Sequence, residues 1–147
     1  CLLTLNFKLK IMLQRIQTIW FIIAAACTFA TFKCAFYSGS VSATSPATDF
    51  NASSYFLITI LTSAIGMLSL VLIFLYGNRK QQFKISILNL VASLGLIALY
   101  FWRTNQFVSG AITIFAIFTF AIPVFLFLAT RAIWKDEQLI KSVDRLR

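Results

Sequence analysis

Gly77-Asn78-Arg79-Lys80-Gln81-Gln82-Phe83-Lys84 is a polar, basic island between two long apolar runs, Tyr55 to Tyr76 upstream and Ile85 to Trp102 downstream. Neither run contains a charged residue. A helix of about 20 apolar residues spans the hydrocarbon core of a bilayer. The island therefore reads as the turn of a transmembrane helical hairpin. Its three cations mark the side of the membrane on which the turn lies.

The composition agrees. The chain of 147 residues is 60% hydrophobic and 12% charged, against roughly 25% charged in a soluble domain. The apolar residues fall in long blocks that leave no stretch for a sizeable extramembrane domain. The net charge of +9 points away from nucleic acid, because the cations sit at the ends of apolar runs and are not interleaved with exposed stacking aromatics.

Two further spans follow from the same rule. Thr18 to Tyr37 is the first, with Arg15 before it and Lys33 close enough to its outer end to snorkel to the interface. Met12 to Ala26 before Cys27 faintly resembles a lipoprotein signal, but Ala24 stands where Leu is usual and the sequence after Cys27 stays apolar, so the segment is read as uncleaved. Cys27 and Cys34 are about 10 Å apart by helical rise, too far for a mutual disulfide, and read as small packing residues. Gly110 to Thr130 is the fourth span, and Pro123 within it removes the hydrogen bond to the Thr119 carbonyl, predicting a kink. Spans 18–37, 55–76, 85–102 and 110–130 make an all-α membrane protein, a four-helix transmembrane bundle. Residues 1–11 precede the start-like Met12-Leu13-Gln14-Arg15 and read as an upstream or non-native extension; residues 12–147 form a single domain.

The connections read as loops. Ser38 to Ser54 is rich in Ser, Thr and Ala and holds no Lys or Arg; Arg103 to Ser109 is short. Residues 131–147 are the charge-dense segment. Ala132, Leu139, Ile140, Val143 and Leu146 share one helical face, which Asp136 interrupts, and Glu137 and Lys141 form an i, i+4 pair. This tail reads as a cytoplasmic amphipathic helix that lies on the membrane or docks a partner through Lys135, Asp136, Glu137, Lys141, Asp144 and Arg145.

Polar residues inside the spans are the candidate site. Ser63, Gly66 and Ser69 recur every three residues in the second span, a face on which helix backbones approach closely. Ser86, Asn89 and Ser93 share one face of the third. A bare amide in hydrocarbon is costly, so Asn89 must face another helix, either bonding to it or lining a polar path.

Eleven of the thirteen cations lie in the N-terminal segment, the basic turn and the tail; the other two are Lys33 and Arg103. Four spans require those three segments to share one side, and the positive-inside rule makes that side the cytoplasm. The chain has no His, and no span holds Asp or Glu. A coupled carrier, a metal centre and a catalytic nucleophile with its base all lack their residues. No enzymatic activity and no cofactor are expected.

The opening Met12-Leu13-Gln14-Arg15-Ile16-Gln17-Thr18-Ile19-Trp20 resembles that of a small four-span membrane-protein family of Bacteroidota, the domain of unknown function number 4293. The Asn78-Arg79-Lys80 turn is similar to it as well. So is the ending, Arg131-Ala132-Ile133-Trp134-Lys135-Asp136-Glu137 with Lys141-Ser142-Val143-Asp144-Arg145-Leu146-Arg147. The resemblance covers Met12 to Arg147. It implies a bacterial inner-membrane location and four helices, and brings no catalytic residue.

The leading functional expectation is an accessory or structural subunit, in the lipid bilayer, bound to a larger membrane complex. The alternative is a homo-oligomeric channel or transporter with Ser86, Asn89 and Ser93 along its path. A membrane-bound lipid-modifying enzyme comes third.

Overall fold

The computed structural model describes residues 2–42, 44, 46–75 and 78–144, with side chains defined between 16 and 138. In chain order the elements are α1 (Leu2–Ala30), β1 (Tyr37–Ser40), β2 (Thr48–Phe50), α2 (Phe56–Phe74), α3 (Arg79–Thr104), β3 (Ser109–Ile112), a single 3₁₀ turn (Ile114–Ala116) and α4 (Ile117–Asp144). The helices run alternately up and down. Each packs on two neighbours in a ring: α1 on α2 and α4, α3 on α2 and α4.

Among the described residues three helical stretches are long and apolar enough to cross a membrane, Phe56–Phe74, Arg79–Thr104 and Ile114–Gln138. The apolar stretch of α1, Ile16–Ala30, is shorter. From Phe56 to Leu75 or from Ile117 to Asp136 the bundle rises about 30 Å, close to the thickness of a bilayer's hydrocarbon core.

The distribution of residues is that of a protein set in hydrocarbon. Ile22, Leu57, Met67, Val71, Leu88, Val91, Leu94, Val124 and Phe127 all face outward, while Gln17, Gln82, Ser86, Asn89 and Asp136 are buried. In water this arrangement would expose a continuous apolar girdle far larger than the surface patches of soluble monomers. In lipid it is the favourable one, because polar side chains find partners only inside the bundle. Multi-pass insertion in a membrane follows from these facts.

Several boundaries differ from the sequence reading. Arg79 to Lys84 are not a turn but the first turns of α3; Leu75 and Asn78 belong to the tight connection, and Tyr76 and Gly77 lie outside the described residues. Gln82 ties this start of α3 to the end of α2: its Nε2 donates to the Leu72 carbonyl, in the last turn of α2, at 3.0 Å.

The first span was expected to run to Tyr37, but α1 stops at Ala30. Thr31 Oγ1 donates to the Thr28 carbonyl at 2.6 Å, and Phe32 and Lys33 bond back only three residues. Side-chain bonds of this kind compete with the helical ladder. The chain then turns through Phe36, whose N–H donates to Phe50 at 2.7 Å while its carbonyl accepts from Thr113 at 3.1 Å.

The two segments read as loops carry a sheet instead. Its order is β2-β1-β3, all antiparallel. Gly39 pairs with Gly110. A Cβ at Gly39 would overlap the Ser109 carbonyl, and one at Gly110 would lie 2.7 Å from the Tyr37 ring. The two glycines thus permit a close strand approach that Tyr37 covers. Gly110, expected to open the fourth span, lies in β3, so that span begins at Ile114.

Under the sheet is an aromatic layer. Phe36 and Tyr100 have ring centroids 4.5 Å apart, and Phe50 stands edge-on to Tyr100 at 5.5 Å. All three residues are buried. The sheet therefore caps one end of the bundle, joining the ends of α1 and α3 to the starts of α2 and α4. Lys33 and Arg103 lie at this end, and Arg103 stacks over the Tyr55 ring at 4.0 Å. Arg79, Lys80, Lys84, Arg131 and Lys135 belong to the opposite end.

Candidate functional site

The polar residues of the interior form two layers. The middle layer joins α2 to α3. Asn89 is fully buried, and its Nδ2 donates to Ser69 Oγ at 3.0 Å and to the Ile65 carbonyl at 3.4 Å. Ser69 passes its own proton to the Ile65 carbonyl at 2.8 Å. These are contacts of a buried amide that uses a neighbouring helix as its solvent. Asn89 Oδ1 is buried without a hydrogen-bond partner among the described residues, as is the Tyr100 hydroxyl.

The second layer lies at the basic end and ties three helices. Asp136 of α4 is ion-paired with Arg79 of α3 and accepts from Gln17 Nε2 of α1 at 3.3 Å. Ser86 of α3 and Thr130 of α4 are 2.6 Å apart. Thr130 also donates to the Leu126 carbonyl at 2.8 Å, so Ser86 is the donor between the two hydroxyls.

The residues singled out in the spans each have a definite place. Ser63 is half-buried and donates to the Thr59 carbonyl at 2.8 Å. Gly66 is buried against α1, where a Cβ would lie 3.2 Å from the Phe29 ring. The small-residue stripe therefore serves two neighbours, Gly66 facing α1 and Ser69 facing α3. Ser93 is buried and donates to the Leu90 carbonyl at 2.7 Å. Pro123 is buried, and α4 stays helical through it.

In the tail, Lys135 is exposed and Glu137 half-buried. Asp136, expected on the surface, is instead turned inward. A lone carboxylate on an apolar stripe is held there by its guanidinium partner. The side chains of Lys141, Asp144 and Arg145 lie outside the described residues. So do Cys1 and the side chains of residues 2–15, although the backbone of α1 is helical from Leu2. Cys27 and Cys34 are half-buried free thiols, and Cys34 falls after the end of α1.

Sequence reasoning missed the Arg79–Asp136 pair and the roles of Gln17 and Gln82. The available signal was Asp136 itself, an acid within an apolar helical stripe, together with Gln17, a polar residue directly before the first apolar span. What the arrangement does chemically is hold helices together. Asp136 is neutralised by Arg79, and the hydroxyls of Ser69, Ser86, Ser93 and Thr130 bond to one another or to helix carbonyls.

Among the described residues, grooves open at both ends of the bundle. One, of about 530 Å³, is lined by Phe83, Phe127, Thr130, Arg131 and Trp134 at the basic end. The other, of about 220 Å³, lies beside the sheet and includes Asp49, Tyr55 and Gln106. Among proteins of curated function none matches this chain, and no solved structure matches it. The family model described as Domain of unknown function (DUF4293) matches residues 13–146, nearly the whole sequence, and the chain belongs to that family.

Proposed function

We propose that the protein is a four-span protein of the bacterial inner membrane that works without catalysis, as an accessory or structural subunit of a larger membrane complex. In this reading α1 makes the fourth crossing by adding the hydrogen-bonded turn of residues 31–36 to its apolar helix. The excess of cations at the end opposite the sheet supports a cytoplasmic location for that end and for both termini. The sequence resemblance to a Bacteroidota family supports the bacterial source.

The observation that carries the subunit reading is how the interior polar groups are used. Gln17, Gln82, Ser86, Asn89, Thr130 and Asp136 bond between helices. A bundle locked in this way leaves recognition to its outside: the apolar girdle, the sheet and the charged tail. Tagging the protein at its carboxyl end, extracting it in mild detergent and identifying what co-purifies tests this. A partner at fixed stoichiometry is the expected result, and deleting residues 138–147 releases it if the tail docks there. That deletion spares Asp136 and the pair it makes. A pure homo-oligomer would contradict the subunit reading.

One observation favours a second reading, a small oligomeric channel or transporter. Asn89 Oδ1 and the Tyr100 hydroxyl are buried on the same face of α3 without a partner among the described residues, and such groups usually meet water or a ligand. Ion or solute flux through liposomes holding the purified protein, abolished by Asn89→Leu, would support it.

A further inference from the structure

The groove at the basic end combines features that the bundle itself does not use. Phe127, Thr130, Arg131 and Trp134 follow one another at i, i+3, i+4 and i+7, so they form a single stripe along α4. Phe83 of α3 is the facing wall. The floor is fixed by the 2.6 Å contact between Ser86 and Thr130, so the opening is a held shape between two joined helices. Phe127 and Trp134 are about half exposed.

Arg131 stands in this apolar groove as an exposed cation with no acid or acceptor among the described residues. The acids of the same end are engaged: Asp136 by Arg79 and Gln17, and Glu137 by an interaction of its own. Arg131 precedes Asp136 by five residues, about 7–8 Å of helical rise toward the middle of the bundle. That depth puts its guanidinium, extended along its stem, near the boundary between hydrocarbon and headgroups. Trp134 is a residue type that favours the same boundary.

An occupant must match an apolar slot that carries a cation near the boundary between hydrocarbon and headgroups. An apolar helix of another protein fills the slot but leaves the guanidinium unanswered. We infer that the groove between Phe83 of α3 and the Phe127–Trp134 face of α4 binds an anionic phospholipid, its phosphate on Arg131 and its acyl chain along Phe127. Exposed Lys80, Lys84 and Lys135 add to the local positive potential. The inference rests on the reading that the bundle lies in a bilayer with its basic end at an interface.

The test uses the full chain in phosphatidylcholine–phosphatidylglycerol vesicles, with Trp20→Phe and Trp102→Phe so that Trp134 is the sole indole. One lipid at a time carries brominated acyl chains, which quench a neighbouring tryptophan. Brominated phosphatidylglycerol is expected to quench Trp134 beyond its mole fraction, with an apparent preference of about fivefold. Arg131→Gln removes the preference and Arg131→Lys keeps part of it. A second chain with Trp102 alone, at the sheet end, is quenched in a way that Arg131→Gln does not alter.

Equal quenching of Trp134 by both lipids overturns the inference, as does a preference that survives Arg131→Gln. So does exclusion of both lipids from Trp134 while Trp102 is quenched, since a protein or a second copy then fills the groove. No quenching at either indole overturns the bilayer reading itself, a separate outcome.

Discussion

Arg79, the first residue of α3, is ion-paired with Asp136, fifty-seven residues further on in α4, and the two side chains are 22% and 6% exposed. The pair closes the basic end of the bundle, and Gln17 of α1 joins it. Removing one partner strands the other. Arg79→Ala leaves the carboxylate buried with only Gln17, and is expected to cost about 3 kcal/mol, at the lower limit for fully buried pairs because Arg79 is partly exposed. Asp136→Ala costs less, because the freed guanidinium reaches water. Replacing both by Leu costs less than the sum of the single changes. Unfolding of the variants in detergent micelles measures all three; additive losses would show that the two residues do not act as a pair.

The strands predict a crosslink. Ser40 Oγ and Ser109 Oγ are 2.8 Å apart across β1 and β3. Ser40→Cys with Ser109→Cys, in a chain carrying Cys1→Ser, Cys27→Ser and Cys34→Ser, is expected to form a disulfide under mild oxidation. Its mobility shift on a gel is reversed by reductant. Gly39→Val overlaps the Ser109 carbonyl and is expected to lower the crosslinked fraction at least severalfold. Persistence of full crosslinking in that variant would mean the strands do not meet at this register.

Gly66 predicts a packing defect. Its missing Cβ lets α2 sit against Phe29 of α1. Gly66→Leu must push the helices apart, at a cost of about 1–3 kcal/mol. Gly95, with open space where its Cβ would lie, is the control, and Gly95→Leu is expected to be near neutral. The comparison is read from thermal unfolding in one detergent.

Asn89→Leu separates a packing role from a path. It removes the bonds to Ser69 and Ile65, an interhelical contribution of about 0.6–2 kcal/mol. The expected result is a small loss of stability with no change in liposome permeability. A wild-type flux that Asn89→Leu abolishes would favour the channel reading.

The sequence carries the helices because each apolar run must be satisfied by its own backbone bonds in lipid. Asn89 is legible for the same reason, since an amide in hydrocarbon has to find a neighbouring helix. The sheet is not legible. Its strands are three or four residues long and lie in Ser-, Thr- and Gly-rich segments, and β1 pairs with β3 across some seventy positions of sequence. The early end of α1 is hidden as well, because Cys34 to Phe36 are as apolar as the helix before them while Thr31 engages the Thr28 carbonyl in its last turn. Asp136 looks like a break in an amphipathic stripe until Arg79 is brought beside it, and only the packing of α3 on α4 does that.

Crossing number and orientation are tested most directly by labelling on intact cells with their outer barrier made permeable, using a maleimide that does not cross the inner membrane. Ala47→Cys lies at the sheet end and Gln81→Cys at the basic end; both positions are exposed. Each is placed in the chain lacking its other cysteines, with a protease-cleavable tag at the amino end. Ala47→Cys is expected to be labelled from outside, while Gln81→Cys reacts only after lysis and the tag resists external protease. Labelling of both cysteines from one side would contradict the crossing by α2, and cleavage of the tag from outside would contradict the crossing by α1.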